Sequence, residues 1–117
     1  MISISKSHAV MDCDIALRRL DGNETLLKTL IGFFLEDAPT LLLELKQAMD
    51  AEDWSVVALK AHSLKGLSST FEAIPFMQLA ATIESQASVA DQVSLVEAIL
   101  QLQFEFERLI NDLKSVV

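Results

Sequence analysis

The chain has 117 residues, of which 51% are hydrophobic, and it contains only three glycines and two prolines. This composition argues against a disordered chain and favours one compact, mostly helical domain. Acidic residues outnumber basic ones by 17 to 9, for a net charge of -8 at pH 7. Such a charge repels nucleic acid and anionic membranes, so we expect no nucleic-acid partner, no membrane partner, and protein partners instead.

The chain carries no targeting or metal-binding pattern. No apolar run approaches the roughly 18 residues of a membrane helix, and residues 1–14 lack an apolar stretch of signal-peptide length. We therefore expect a cytoplasmic protein. The single cysteine, Cys13, has no partner for an internal disulfide and no companion ligands, so we interpret it as a small buried hydrophobe and expect no metal site.

The first predicted element is a short helix. Residues 1–11 show no helical pattern, and we expect a loosely ordered N-terminal segment there. Asp12 or Asp14 can cap a helix that runs to Leu20. The stretch 20–23, Leu-Asp-Gly-Asn, is rich in turn residues and separates this helix from the next.

A long second helix follows. Asn23 is a good N-cap, and apolar residues then keep a helical period from about residue 24 to residue 50. Pro39 falls inside this pattern, and the pattern continues beyond it. We predict one kinked helix rather than two, with the carbonyl of Leu35 freed by the proline.

Three further helices complete the chain. Asp53 can cap the third, and Pro75 suits the first turn of the fourth. Residues 87–90 read as a loop, Asp91 is a possible cap, and a last helix runs from about 92 to 114. The residues predicted to point inward on this last helix are Val96, Ile99, Leu100, Gln103, Phe106, Leu109, Ile110 and Leu113.

These elements predict an all-α fold. Four long amphipathic helices joined by short links favour an antiparallel up-down four-helix bundle. The short extra N-terminal helix is expected to cap one end or one side of it. We predict a single domain over residues 1–117.

The third helix carries the candidate site. Its apolar residues make a stripe whose centre lies about 140° around the helix from His62, so the ring should face away from the core. Lys65 and Gly66 are three and four residues further on and lie on the same face. A mid-helix glycine costs about 1 kcal/mol relative to alanine, and access to an adjacent nucleophilic imidazole would explain it. The alternatives are an ordinary surface histidine and a glycine needed for close helix packing.

The residues around His62 match a known family. The run Ala61-His62-Ser63-Leu64-Lys65-Gly66-Leu67-Ser68 resembles the signature of the histidine-containing phosphotransfer (HPt) domain, Ala-His-x-Leu-Lys-Gly-x-Ser or Ala. The similarity extends over roughly residues 14–87 and includes the turn at 20–24, the segment 34–39 and the turn at 48–53. The last helix agrees only in length and pattern.

The resemblance implies a phosphoryl carrier in a two-component phosphorelay. His62 would be phosphorylated, Lys65 would offset the phosphoryl charge, and Gly66 would allow close approach. Glu84 would accept a proton from one ring nitrogen and leave the other free to attack. A docking patch is expected around the histidine, and its candidate residues are Leu17, Ala58, Leu59 and Ser69.

The resemblance also implies the partners. These would be receiver domains of response regulators, a hybrid sensor histidine kinase, or both, and the chain would be a monomer. Mg²⁺ would sit on the receiver, and we expect no cofactor on this chain, because nothing in it resembles a nucleotide-binding loop. A dimeric kinase core would require an ATP-binding domain for which 117 residues leave no room.

One position departs from the family pattern. The family usually has glycine where this chain has Glu72, followed by alanine as at Ala73. Glycine there can end a helix in the left-handed conformation, so the end of the third helix is in question. From the sequence, a structural or adaptor bundle without phosphotransfer remains the alternative function.

Overall fold

The computed structural model describes residues 10–87 and 92–116 of the chain. Within these ranges the regular structure is helical throughout, which confirms the all-α prediction. The helices are α1 (Cys13–Arg19), α2 (Glu24–Asp50), α3 (Trp54–Ser69), α4 (Ile74–Ala87) and α5 (Gln92–Val116). In the same ranges, none of them combines the length and the apolarity needed to cross a membrane. Residues 88–90 of the predicted loop and the possible cap Asp91 lie outside the described residues, and Ala87 belongs to α4 rather than to that loop.

The helices α1, α2 and α3 begin at predicted capping residues, and of the two candidates for α1 the cap is Asp12. Asp12, Asn23 and Asp53 each accept a hydrogen bond from the backbone N–H three residues later, at 3.1, 3.0 and 3.4 Å. Each side chain thereby satisfies one of the N–H groups that a helix start leaves without a partner. Pro39 lies inside α2, which continues through it, and Pro75 is in the first turn of α4, as predicted.

The four long helices form a closed bundle. α2 packs on α3, α3 on α4, α4 on α5, and α5 returns to contact α2. The short links 51–53 and 70–73 make consecutive neighbours antiparallel. α1 packs against α2 and lies at the end of the bundle that holds the α3–α4 turn, where the N–H of Asp12 donates to the carbonyl of Phe71 at 2.8 Å.

Aromatic rings join the helices in the core. Phe34 of α2 contacts Phe71 of the α3–α4 turn and Phe106 of α5, with ring centroids 5.5 and 6.2 Å apart. Phe76 of α4 lies 5.9 Å from Phe106. Cys13 is fully buried as interpreted, and this burial raises the pKa of its thiol to about 11, so the group stays protonated.

The inward face of α5 differs from the prediction. Val96 and Leu100, which were predicted to point inward, are exposed. Apolar residues cover more than half of the circumference of the first turns of α5, so periodicity alone allows more than one buried face. Packing against α4 selects the face. The residues buried on it are Leu95, Ala98, Ile99, Leu102, Phe106, Leu109 and Leu113.

The end of the predicted N-terminal segment is also ordered differently. Val10 and Met11 are buried in the core, so the expectation of loose order over residues 1–11 is wrong for these two. The other nine residues of that segment lie outside the described part of the chain.

Glu72 takes the conformation that a glycine would take. Its φ is +50°, in the left-handed region, and its N–H donates to the carbonyl of Ser69 at 3.1 Å. The next N–H, that of Ala73, reaches back to Ser68 at 3.4 Å, which completes a Schellman-type helix end. The guanidinium of Arg19 holds the Glu72 carboxylate at 2.8 Å and ties α1 to this turn. The helix therefore ends in the usual way without the glycine.

Candidate functional site

The packing of α3 on α4 brings the predicted site residues together. His62, Lys65 and Gly66 lie on the outer side of α3, and Glu84 lies on the adjacent side of α4. The His62 side chain is 62% exposed, whereas Val57, Ala61, Leu64 and Ser68 of the same helix are buried. The prediction that His62 points away from the core is confirmed.

Glu84 bridges two of the predicted site side chains on α3. Its Oε2 lies 3.0 Å from His62 Nδ1, and its Oε1 accepts a hydrogen bond from Lys65 Nζ at 2.9 Å. An ionised carboxylate only accepts, so Nδ1 must carry the proton that is shared with Glu84. In the neutral ring, Nε2 then keeps its lone pair, and no atom of the described residues bonds to it.

The charge state of Glu84 follows from these contacts. The hydrogen bond from Lys65, with a smaller contribution from that of His62, lowers the pKa of this carboxyl below its ordinary value of 4.5, although partial desolvation opposes the shift. Glu84 therefore stays ionised at neutral pH. Lys65 is held beside the histidine by the same carboxylate, so the site contains one anion and one fixed cation around an exposed ring.

Gly66 opens the surface next to the ring. A Cβ built on this glycine would meet nothing within 4 Å, so packing inside the chain does not require its missing side chain. The close-packing alternative is therefore excluded within the described structure. The empty space lies on the solvent side of α3, one turn after His62, where an approaching protein can use it.

The predicted docking residues fall into two groups. Leu59 is exposed one turn before His62. Ala58 and Leu17 are only partly exposed and pack against the core. Ser69 is tied into the structure, because its carbonyl accepts a hydrogen bond from Arg19 at 3.0 Å. α3 thus brings Leu59 beside the ring, while Leu17 and Ser69 lie at the α1 end of the bundle.

Sequence reasoning missed Arg19. This residue connects α1 to the carbonyl of Ser69 and to the carboxylate of Glu72, which are 50 and 53 residues away in the chain. Its position in the last turn of a helix is an ordinary one for a cation and gives no signal of distant contacts. Only the packing of α1 against the α3–α4 turn reveals its role.

No metal centre is visible in the described residues. Within 10–87 and 92–116, no three or more His, Cys, Asp or Glu side chains lie close enough together to hold a metal ion. The site on α3 and α4 consists of the imidazole, the ammonium group and the carboxylate.

The family comparison agrees with this geometry. The family model described as Hpt domain matches residues 29–115, which is well over half of the chain and includes α5. The chain therefore belongs to the Hpt domain family. No curated protein and no solved structure matches it. Membership implies a phosphocarrier role in two-component phosphorelay signalling, with response-regulator receivers or kinases as the class of partner.

Proposed function

We propose that His62 accepts a phosphoryl group on Nε2 from the aspartate of a receiver domain, or from a sensor kinase, and passes it to the aspartate of another receiver. The observation that carries this proposal is the contact of 3.0 Å between His62 Nδ1 and Glu84. Glu84 holds the Nδ1 proton and the ring orientation, and Nε2 is left as an exposed nucleophile.

The transfer is a single in-line displacement. The Nε2 lone pair attacks the phosphorus of the aspartyl phosphate, the N–P bond forms, and the P–O bond to the aspartate breaks. The aspartate leaves as a carboxylate, and the Nδ1 proton stays on the ring against Glu84. The reverse displacement moves the group from His62 to the next aspartate, so no nucleotide is consumed by this chain.

Lys65 and Gly66 act on the arriving phosphoryl group. The Lys65 ammonium lies on the same face as His62 and can neutralise charge on the phosphoryl oxygens. The open surface at Gly66 lets the receiver's aspartate come within bonding distance of Nε2. Mg²⁺ belongs to the receiver in this proposal, because the chain's own contribution is positioning and one positive charge.

Docking of the receiver involves the surface around His62. Leu59 supplies an exposed apolar side chain, and the half-buried Ala58 lies next to it, one helical turn before His62. Ser69 and Leu17 contribute at the α1 end. A receiver seated there would cover the ring and exclude water from the transfer.

The test is transfer from a phosphorylated receiver. The chain is incubated with a receiver that carries labelled aspartyl phosphate and Mg²⁺, and label on each protein is followed with time. We expect acid-labile label on the wild-type chain and none on His62→Gln. The matched control is His8→Gln, since the chain contains two histidines, and this variant should accept label like the wild type.

Two results would contradict the proposal. One is label that stays on the receiver when every active receiver of a panel is tried. The other is label that moves equally well to His62→Gln. Either would favour the adaptor bundle without phosphotransfer.

A further inference from the structure

The side of the bundle away from His62 exposes a concentration of apolar side chains. In the ring of helices, α2 and α5 are neighbours on the side opposite the α3–α4 boundary that holds the site. Of nine large apolar side chains exposed in the described residues, five lie here, which makes this the main apolar surface. We call them the α2–α5 face: Leu43, Val93, Val96, Leu100 and Phe104.

The α2–α5 face includes a continuous groove. Two adjoining cavities of about 370 and 250 Å³ share Leu43, Lys46 and Gln103, and together they extend along α2 from Asp50 to Pro39. This length corresponds to three helical turns, or roughly 16 Å. On α5, Val96, Ile99 and Leu100 line the groove, and Leu100 is 63% exposed. Phe104, at 61% exposure, is one turn further along α5. Large apolar side chains gathered on one face in this way are typical of a surface that contacts another protein.

We propose that the α2–α5 face binds the same face of a second copy of this chain, with the two α5 helices antiparallel about Leu100. Val96 and Phe104 are each four residues from Leu100, so the two-fold axis sets the small Val96 of one copy against the large Phe104 of the other. The two Leu100 side chains meet at the centre. This departs from the monomer that the family resemblance implies.

Charges beside the stripe support the antiparallel direction. The Arg108 guanidinium lies 6.0 Å from the centre of the Phe104 ring and bonds Glu105 at 2.8 Å, so it is at the level of residue 104 along α5. In the antiparallel pair, the two-fold axis at Leu100 places residue 104 of one copy opposite residue 96 of the other. The Arg108 guanidinium of one copy therefore lies opposite the helical turn that contains Glu97 of the other. Glu97 is exposed there and has no ion pair within the described chain. The two-fold axis therefore creates two identical contacts between Glu97 of one copy and Arg108 of the other.

The composition of the face suits a homodimer, because homodimer interfaces are about 65% apolar. The α2–α5 face offers five large exposed apolar side chains, and a symmetric pair brings together twice that number. Both His62 rings remain outside the interface, so each copy can still meet a receiver.

The net charge sets the sign of the salt dependence. Each copy carries -8, so the two copies repel one another, and salt screens this repulsion. Added salt should therefore strengthen the dimer. A basic protein partner on the same face would bind more weakly as salt is raised, which distinguishes the two occupants.

The first test is sedimentation equilibrium of the full chain over a range of concentrations at low and high salt. We expect a mass that rises toward twice 12.9 kDa with concentration, and a tighter dimer at high salt. Leu100→Lys should raise the dissociation constant about tenfold or more, although it lowers the net negative charge. Leu26→Lys is the matched control, because Leu26 is also an exposed leucine but lies outside the α2–α5 face.

The second test examines the register. Glu97→Arg and Arg108→Glu should each weaken the dimer, and the double variant should restore it, because the contact is then re-formed with its charges exchanged. A mass that stays at 12.9 kDa at every protein and salt concentration overturns the proposal. The α2–α5 face would then be a binding surface for a different protein. A dimer that Leu100→Lys does not weaken overturns it as well.

Phosphotransfer separates this proposal from the one on His62. Leu100→Lys should accept phosphoryl at the wild-type rate, since the α2–α5 face is on the other side of the bundle. Loss of the dimer with transfer unchanged supports both proposals, whereas a monomeric wild type with normal transfer overturns only the dimer.

Discussion

Glu84 is the residue that makes a pair of α3 side chains into a site. Its two oxygens hold His62 at 3.0 Å and Lys65 at 2.9 Å, so one carboxylate orients the ring and positions the cation. In the proposed transfer, the phosphoryl group on Nε2 offers Lys65 a second anion. The ion pair with Glu84 keeps Lys65 on the face of α3 where the proposal places that charge.

The charge of Glu84 has a consequence for stability. Its folded-state pKa lies below the ordinary 4.5, so the carboxylate stabilises the fold above pH 4.5, and this contribution is lost as pH falls through the lower folded value. Glu84→Gln should therefore melt at a lower temperature than the wild type at neutral pH, with a difference that vanishes in acid. Thermal unfolding over a pH series measures it.

A control variant separates this linkage from packing. Lys65→Met removes the main cause of the lowered Glu84 pKa. This variant should also melt at a lower temperature than the wild type at neutral pH, and the difference in melting temperature should disappear in acid. The effect should be small, because both side chains are partly exposed to solvent. A difference between Glu84→Gln and the wild type that is constant from neutral pH to acid would contradict the assignment.

Glu72 shows how one residue can replace a glycine. The left-handed conformation costs a residue with a Cβ about 1 kcal/mol. The ion pair with Arg19 at 2.8 Å and the hydrogen bond from Arg19 to Ser69 connect this turn to α1. The departure from the family pattern therefore changes the residue at the left-handed position but not the way in which α3 ends.

At the scale of elements, α3 places its candidate site residues on the side that does not face the core. Its buried side is occupied by small and aliphatic side chains, and its outer side carries His62, Lys65 and Gly66. A helix that buries both sides could not present a nucleophile to another protein. α2 contains a second exposed mid-helix glycine, Gly32, with nothing within 4 Å of the position that a Cβ would occupy.

These two glycines allow a matched comparison. Gly66→Ala and Gly32→Ala should each stabilise the fold by about 0.5–1 kcal/mol, because alanine is the better helix former and space is free at both positions. Only Gly66→Ala should slow phosphotransfer, by about tenfold or more, since its methyl group occupies the approach to His62. Urea unfolding measures stability, and the initial rate of label transfer measures function.

The opposite result is equally clear. If Gly66→Ala accepts phosphoryl as fast as Gly32→Ala does, the open surface beside His62 has no role in access. Gly66 would then be a destabilising residue without a function in transfer.

At the scale of the whole molecule, the aromatic cluster keeps the helices in register. Phe34, Phe71, Phe76 and Phe106 come from α2, the α3–α4 turn, α4 and α5, and their rings contact one another. The position of α4 along α3 decides whether Glu84 can reach both His62 and Lys65. Core packing is therefore a condition for the site.

Phe34 and Phe33 test this dependence at adjacent positions. Phe34 is buried at 2% exposure, and Phe33 is exposed. Phe34→Ala should lower the free energy of unfolding by about 3–5 kcal/mol, which is a large part of the roughly 5–15 kcal/mol typical of a domain. Phe33→Ala should lower it by less than about 1 kcal/mol. Chemical denaturation checks both, and equal losses would contradict the described core.

The sequence by itself determined the helices and the face of α3 that carries the candidate site. Caps at Asn23 and Asp53 and the helical period are local properties, so they predicted where α2 and α3 begin. For α1 the sequence offered Asp12 or Asp14, and Asp12 is the cap. The spacing of His62, Lys65 and Gly66 is equally local, because residues three and four apart share a face of any helix.

Only the tertiary structure decided which contacts are made between helices. The family resemblance implied the contact of Glu84 with His62, which are 22 residues apart. The contact of Glu84 with Lys65 spans 19 residues and those of Arg19 span 50 and 53, and only the packing of the helices shows them. The buried face of α5 also depended on its neighbours, because apolar residues cover enough of that helix to allow Val96 and Leu100 to be placed inside or outside. Local propensity decides which residues form a helix. The surfaces that pack against the helix decide its rotation about its own axis and therefore which face is buried.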